Sequence, residues 1–230
     1  MGSIPYYVDI VFCVDGSEGM MPVMDQVKRT ICSFPDDLRH KEANRGHELV
    51  IRTRVIVFRD YLEDGDRAMQ ATNFFELPQQ NGEFRDAVNS ITAEGGGVAS
   101  SQDGLEAIAY AIKATPWRKH TLRSIARRRQ VIVVFSNNPA HPLGYGARSP
   151  YYPKGMAGSF EELSAWWGDY DAPGLMSQNN KRMFIFAPEA PGWKEISDNW
   201  NWVFHGPIDT DVYQWNGNIR QILQLVCSDV

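Results

Sequence analysis

Residues 10–20 read IVFCVDGSEGM: an unbroken apolar run stops at Asp15, and a small polar turn of Gly16, Ser17, Glu18 and Gly19 leads into a helix-like pattern. A run that is apolar on both faces is an inner strand of a parallel sheet, because a half-exposed strand would alternate with polar residues. The Asp15 carboxylate then stands at the carboxyl end of that strand, where open α/β sheets place their sites.

The same grammar continues along the chain. Apolar residues return at Met20, Met24, Val27, Ile31, Phe34 and Leu38, steps of four and three that lay one stripe along a helix. Pro35 disfavours helical geometry at Phe34 and removes a backbone donor, so a kink or an end is expected there. Residues 49–58 (LVIRTRVIVF) alternate and then turn wholly apolar, as a strand entering a sheet interior does, while 71–77 (ATNFFEL) is a weaker, edge-strand candidate. Phe84, Val88 and Ile91 mark a short helix, Gly95, Gly96 and Gly97 break the chain, and 103–114 carries Leu105, Ile108, Ala109 and Ile112 on one helical face. Segments 131–135, 183–187 and 202–205 read as strands, 160–167 as a short helix and 219–226 as a closing helix. This alternation predicts an α/β chain with a mainly parallel sheet and helices on both faces. It is expected to form a single domain over 1–230, with a long aromatic-rich connection at about 143–180.

Composition serves mainly to exclude. The net charge of -5 argues against a general nucleic-acid binder. No apolar run approaches the roughly 20 residues of a membrane helix. The opening MGSIPYY lacks the regions of a signal peptide and has Tyr6 where a myristoylation signal wants Ser or Thr, so a cytoplasmic location is expected. Cys13, Cys32 and Cys227 have no spacing suited to a disulfide framework or a zinc site, and read as buried reduced thiols.

Asp15 and Ser17 match the D-x-S-x-S metal-site motif of von Willebrand factor A (vWA) domains, with Gly19 in place of its last Ser. The segments RVIVFRDYLEDG, NFFELP, EFRDAVNSITAEGGG, DGLEAIAYAI, VIVVFSNNPAHPLG, SFEELSAWW and KRMFIFAPEAPGW resemble successive blocks of a bacterial vWA family. Those proteins are related to the tellurite-resistance type and are often encoded beside MoxR-type AAA ATPases and phosphatases in conflict or stress systems. The resemblance implies a Rossmann-like fold, a six-stranded sheet whose third strand is an antiparallel edge. It also implies a metal-ion-dependent adhesion site built from the first motif, a Thr or Asp in the loop after the glycines, and an Asp in a T-D-A-P-A-H-P segment.

Here that last segment runs from Ser136 to Pro142 with Asn137 in place of the Asp. The glycine loop reads GGGVASSQDG where the family has GGGD-x-P-E-N-G, so Val98 or Ala99 stands at the Asp position and Ser100 or Ser101 offers a hydroxyl. The metal residues implied by the resemblance are therefore Asp15, Ser17, Ser100 and Asn137, a degenerate set. A shell with one carboxylate suits Mg²⁺ poorly, so weak or lost binding is expected and no cofactor is required. Restoring Asn137→Asp together with Gly19→Ser is expected to bring a response to Mg²⁺ back. The competing reading is that Asp15 and Ser17 cap the following helix and hydrogen-bond the loops.

Other chemistry is thin. A haloacid-dehalogenase reading fails at Ser17, which stands where the second Asp belongs, and the glycine run lacks the companions of a phosphate loop. His141 has no paired nucleophile and reads as structural. The basic run from Arg118 to Arg129 is a solvated face or a surface for an acidic protein partner. The connection at 143–180 leaves the fourth strand above the metal position and is expected to lie over it. It offers Tyr151, Tyr152 and Trp167 as partner anchors, with Arg127, Arg128 and Arg129 adding charge at the flank. Against this, Trp166 and Trp167 also suit packing of a helix onto the sheet. The function expected is a non-enzymatic vWA adaptor in a multi-protein bacterial conflict, defence or stress system. Its partner would be a MoxR-type ATPase or another product of the same operon. The alternative is a metal-dependent hydrolase using Asp15.

Overall fold

The computed structural model describes residues 5–43, 48–97, 101–118, 126–206 and residue 226. The expected closing helix lies outside them except for Val226, which is helical and buried; Ser100, Val98, Ala99 and Cys227 lie outside them too.

Strand β1 (Pro5–Asp15) is central, pairing in parallel with β2 (Glu48–Phe58) on one side and β5 (Arg127–Phe135) on the other. β6 (Lys181–Phe186) and β7 (Val203–His205) extend the parallel sheet beyond β5, while β3 (Met69–Ala71) and β4 (Phe75–Leu77) both pair antiparallel with β2. The sheet therefore has seven strands in the order β3-β2-β1-β5-β6-β7, with β4 also on β2. The expected single edge strand is two short ones. Thr72 parts them: its N–H donates to the Val55 carbonyl, and its hydroxyl accepts from the Val55 N–H in the ladder's place.

Helices α1 (Met24–Ala43) and α2 (Asn81–Asn89) cover one face; α3 (Gly104–Ala114), α4 (Phe160–Trp167) and α5 (Trp193–Asn199) cover the other. The period of two in β1 feeds both cores: Ile10, Phe12 and Val14 join α1 and α2, whereas Val11 and Cys13 join α3. Burial also pushes the Cys13 thiol up to about 12, as expected for an inert core cysteine. Of the kink or end expected at Pro35, the end does not occur, since α1 runs through it to Ala43. An interior proline costs about 3 kcal/mol. Val27, Ile31, Phe34 and Leu38 are each at most 1% exposed, and each contributes roughly 1.5–3 kcal/mol by burial, which outweighs that cost.

The chain leaves β1 toward β2 and later returns to β5 on β1's other side, so the loops after Asp15 and Phe135 flank the point where strand order reverses. The long connection begins at this edge, where Gly144 N–H and the Tyr152 hydroxyl both donate to Glu106 Oε1. It then descends beside α3: Lys113 Nζ holds the Gly155 carbonyl at 2.6 Å, and Lys181, at the start of β6, holds the carbonyls of Trp167 and Gly168. Only its first part lies at the carboxyl edge; the rest packs along the flank.

Candidate functional site

Asp15 ends β1 with its side chain fully buried and every oxygen met by a donor. Ser17 N–H donates to Oδ1 at 2.8 Å, while Ser136 Oγ at 2.7 Å and Asn138 Nδ2 at 2.8 Å donate to Oδ2. The same Asn138 amide also donates to Ser17 Oγ at 3.0 Å. Burial pushes the Asp15 carboxyl above its ordinary range, and the hydrogen bonds from Ser17, Asn138 and Ser136 pull it part of the way back. Ser17 stands at the N-cap of a short 3-10 turn without a side-chain cap bond, so the expected cap by its hydroxyl is not made.

Of the two asparagines, Asn138 is the one that enters the cluster. Asn137 turns its amide to the Gly19 carbonyl at 3.0 Å. Asn137, the metal position that the resemblance implies, therefore lies beside the cluster, while Ser136 and Asn138 bond Asp15 directly. A Cβ at Gly19 would lie 2.7 Å from the Asn138 amide. The expected repair with Gly19→Ser thus requires the Asn138 amide to shift. A hard divalent cation needs several oxygens free to face it. Among the described residues, one carboxylate is ringed by donors and the Asn138 amide points N–H at it, which leaves few oxygens free to face such an ion.

The loops around the cluster are tied by a second residue without a sequence motif. Arg59, buried just after β2, donates to the carbonyls of Gly16, Arg67, Thr92 and Glu94, joining three loops; burial lowers its pKa. Asp64 accepts the Gly96 N–H at 2.8 Å. Gly96 has φ +87, and a Cβ there would meet Ser17 at 2.5 Å, which explains a glycine at the closest approach of the two loops.

Beside this network lies a more acidic one. Asp60 Oδ2 lies 3.1 Å from His141 Nε2, and the His141 ring stacks on Tyr145 at 3.8 Å, consistent with a structural histidine. Asp103 and Glu106, both fully buried at the start of α3, each keep one oxygen without a hydrogen-bond partner among the described residues. Burial first, and then the neighbouring Glu106, push the Asp103 carboxyl up to about 8; burial raises Glu106 as well. No group of three or more His, Cys, Asp or Glu among the described residues has metal-binding geometry. Asp103 and Glu106 fall within the DGLEAIAYAI block, at the N-cap and in the first turn of α3, and no chemical motif marks them.

The expected partner residues separate. Tyr151 is 55% exposed, and Tyr152 is half-buried against Tyr61 with ring centroids 5.2 Å apart. Trp167 is wholly buried, stacked on Trp200 at 5.5 Å with its Nε1 donating to the Asn201 carbonyl, so it is a packing residue of α4 and not a surface anchor. Arg127, Arg128 and Arg129 begin β5, in register with Tyr6, Tyr7 and Val8. That places them a strand's length, roughly 25 Å, from the Asp15 edge they were expected to flank. Arg127 and Arg129 lie over the Tyr6 ring, and Arg128 lies 5.9 Å from the Tyr7 centroid.

Residues 9–148 match the von Willebrand factor type A domain family. Among solved structures, proximal thread matrix protein 1 from the mussel byssus superposes with a TM-score of 0.52 at 12% identity, covering 99% of this chain and 48% of that one. A second crystal form gives 0.52 at 8% identity, covering 98% and 49%. A pilus adhesin from Lactobacillus rhamnosus GG gives 0.48 at 12% identity, covering 97% and 32%. The chain spans about half the length of the byssus structures, and at such identities the likeness is one of fold alone. No curated protein matches.

Proposed function

Because this chain belongs to the von Willebrand factor type A domain family, we propose that it is a non-enzymatic module that docks a protein partner through the loops at the carboxyl edge of its sheet. The observation that carries this reading is the exposure of Met21, Tyr145 and Tyr151 on loops around an edge whose own polar groups are turned inward. A partner there meets apolar anchors above a polar floor that is already satisfied, the arrangement that makes a docking surface. Docking on this reading needs no metal, since the Asn138 amide supplies the positive end that a cation would otherwise present to Asp15. The hydrolase alternative is the weaker one: Asp15 has no exposed surface from which to attack a substrate.

The finer reading comes from the family resemblance. It makes the chain a cytoplasmic component of a bacterial conflict, defence or stress system, and a MoxR-type ATPase encoded beside it the first partner to test. The experiment is an affinity measurement between the chain and that ATPase, in chelator and in Mg²⁺. Met21→Asp and Tyr151→Ala are each expected to weaken binding by about 30-fold, as loss of a 2 kcal/mol anchor does. Unchanged affinity in both variants overturns the docking edge, and binding that appears only with Mg²⁺ overturns the metal-free part.

A further inference from the structure

Tyr151 belongs to a second feature. Together with Tyr61 and Tyr110 it walls a pocket of about 220 Å³, closed by Met69 and Pro153. Among the described residues that line it, Asp66 is the one charged side chain, and it is exposed. We propose that this pocket receives an alkylammonium group, the ε-ammonium of a lysine presented by the docking partner, an inference that rests on the docking reading above.

The chemistry of the walls selects a cation. Aromatic faces carry the negative lobe of a quadrupole, and several of them around one space attract a positive group, most strongly where water is excluded. One of these rings already takes part in such a contact: the Arg54 guanidinium lies 5.5 Å from the Tyr110 centroid while its nitrogens are held by the carbonyls of Thr72 and Ala114. Asp66 adds a carboxylate for the charge. An anion would meet the tyrosine rings and this carboxylate; a neutral apolar group would leave the carboxylate unused.

Size narrows the class. The volume is below the roughly 300–1,000 Å³ of sites for drug-sized molecules, and it suits the end of one side chain. A compact ammonium with freely rotating donors fits such a box better than a flat guanidinium, whose fork is matched to carboxylates. The wall is also built by the backbone. Gly65 has φ +58 and lies under Tyr151, where a Cβ would already sit 3.4 Å from the ring.

The test uses the whole chain, labelled with ¹³C-methyl methionine, and follows the Met69 methyl signal, assigned by its loss in Met69→Leu. n-Butylammonium chloride is titrated as the probe beside n-pentanol, a neutral alcohol one carbon longer, and n-butylguanidinium. The ammonium is expected to shift Met69 saturably in the millimolar range, with n-pentanol at least about 10-fold weaker. Tyr151→Leu, which keeps bulk but removes the π face, is expected to weaken it about 5-fold, and Asp66→Asn about 3-fold. Both side chains are exposed, and an unchanged circular dichroism spectrum and melting temperature without ligand confirm the fold. No saturable shift, equal binding of n-pentanol, or tighter binding of the guanidinium each overturns the proposal. These probes contain no partner, so such a failure leaves the docking reading standing, whereas that reading fails on the Met21 and Tyr151 affinities alone.

Discussion

Asp15 and the pair Asp103 and Glu106 are buried side by side at one edge of the sheet, yet the fold treats them in opposite ways. Around Asp15 it gathers a backbone N–H, a hydroxyl and an amide, so both carboxylate oxygens are met. Around Asp103 and Glu106 it leaves one oxygen of each without a partner among the described residues, and the Asp103 carboxyl rises to about 8. A carboxyl group removed from water is kept by donors or by a proton. The first solution locks loops together, and the second makes the same edge sensitive to pH.

The sharpest way to break this contrast is Asp15→Ala, which strands the Ser17 N–H in the interior and leaves Ser136 and Asn138 only their bonds to the Asn138 carbonyl and the Ser17 hydroxyl. An unsatisfied buried group costs about 1–3 kcal/mol and the two weakened bonds add to it, so urea unfolding should show a loss of roughly 3 kcal/mol. A loss below about 1 kcal/mol would mean that the cluster does not hold the loops. Asn138→Asp comes next. It sets a second carboxylate where the amide now donates at 2.8 Å, and should destabilise the chain by about 2 kcal/mol in chelator. Millimolar Mg²⁺ should then restore stability by mass action, while the natural chain responds little. Strong saturable stabilisation of the natural chain by Mg²⁺ would refute the metal-free reading.

Asp103→Asn should act in the other direction and more weakly. Asp103 ionises near 3.8 in the unfolded chain but holds its proton up to about 8 in the fold. Between those values the folded state binds the extra proton, so stability falls as pH rises from about 4 to about 8 and levels off above. The asparagine is neutral throughout. Thermal melts of the variant should show a shallower slope and, at pH 8.5, a gain of roughly 1 kcal/mol; an unchanged slope would show that Asp103 does not hold the proton. The smallest effect on stability belongs to Tyr151→Ala, within about 0.5 kcal/mol because its ring is exposed, even as partner affinity drops. A large loss of stability would make Tyr151 a packing residue.

Much of the architecture is legible in the sequence because periodicity is a local signal of which faces are buried. The run into Asp15, the stripe of α3 and the apolar core of β5 each report their own environment, and together they predict the α/β class and the edge on which the loops gather. Strand direction alone would also have placed Arg127, Arg128 and Arg129 at the start of β5, away from that edge. Other outcomes depend on partners far along the chain. The local cost of Pro35 is overridden by a stripe buried against the sheet, and Thr72 divides the edge strand by bonding to Val55. Tyr151 and Trp167 are both aromatic residues of one connection, but only packing against Trp200 and Lys181 buries the second. Asn137 and Asn138 are the same residue type in adjacent positions. Which amide faces Asp15 is decided by the turn that joins β5 to its loop, because hydrogen bonding at the site depends on direction in space, which composition and spacing do not encode.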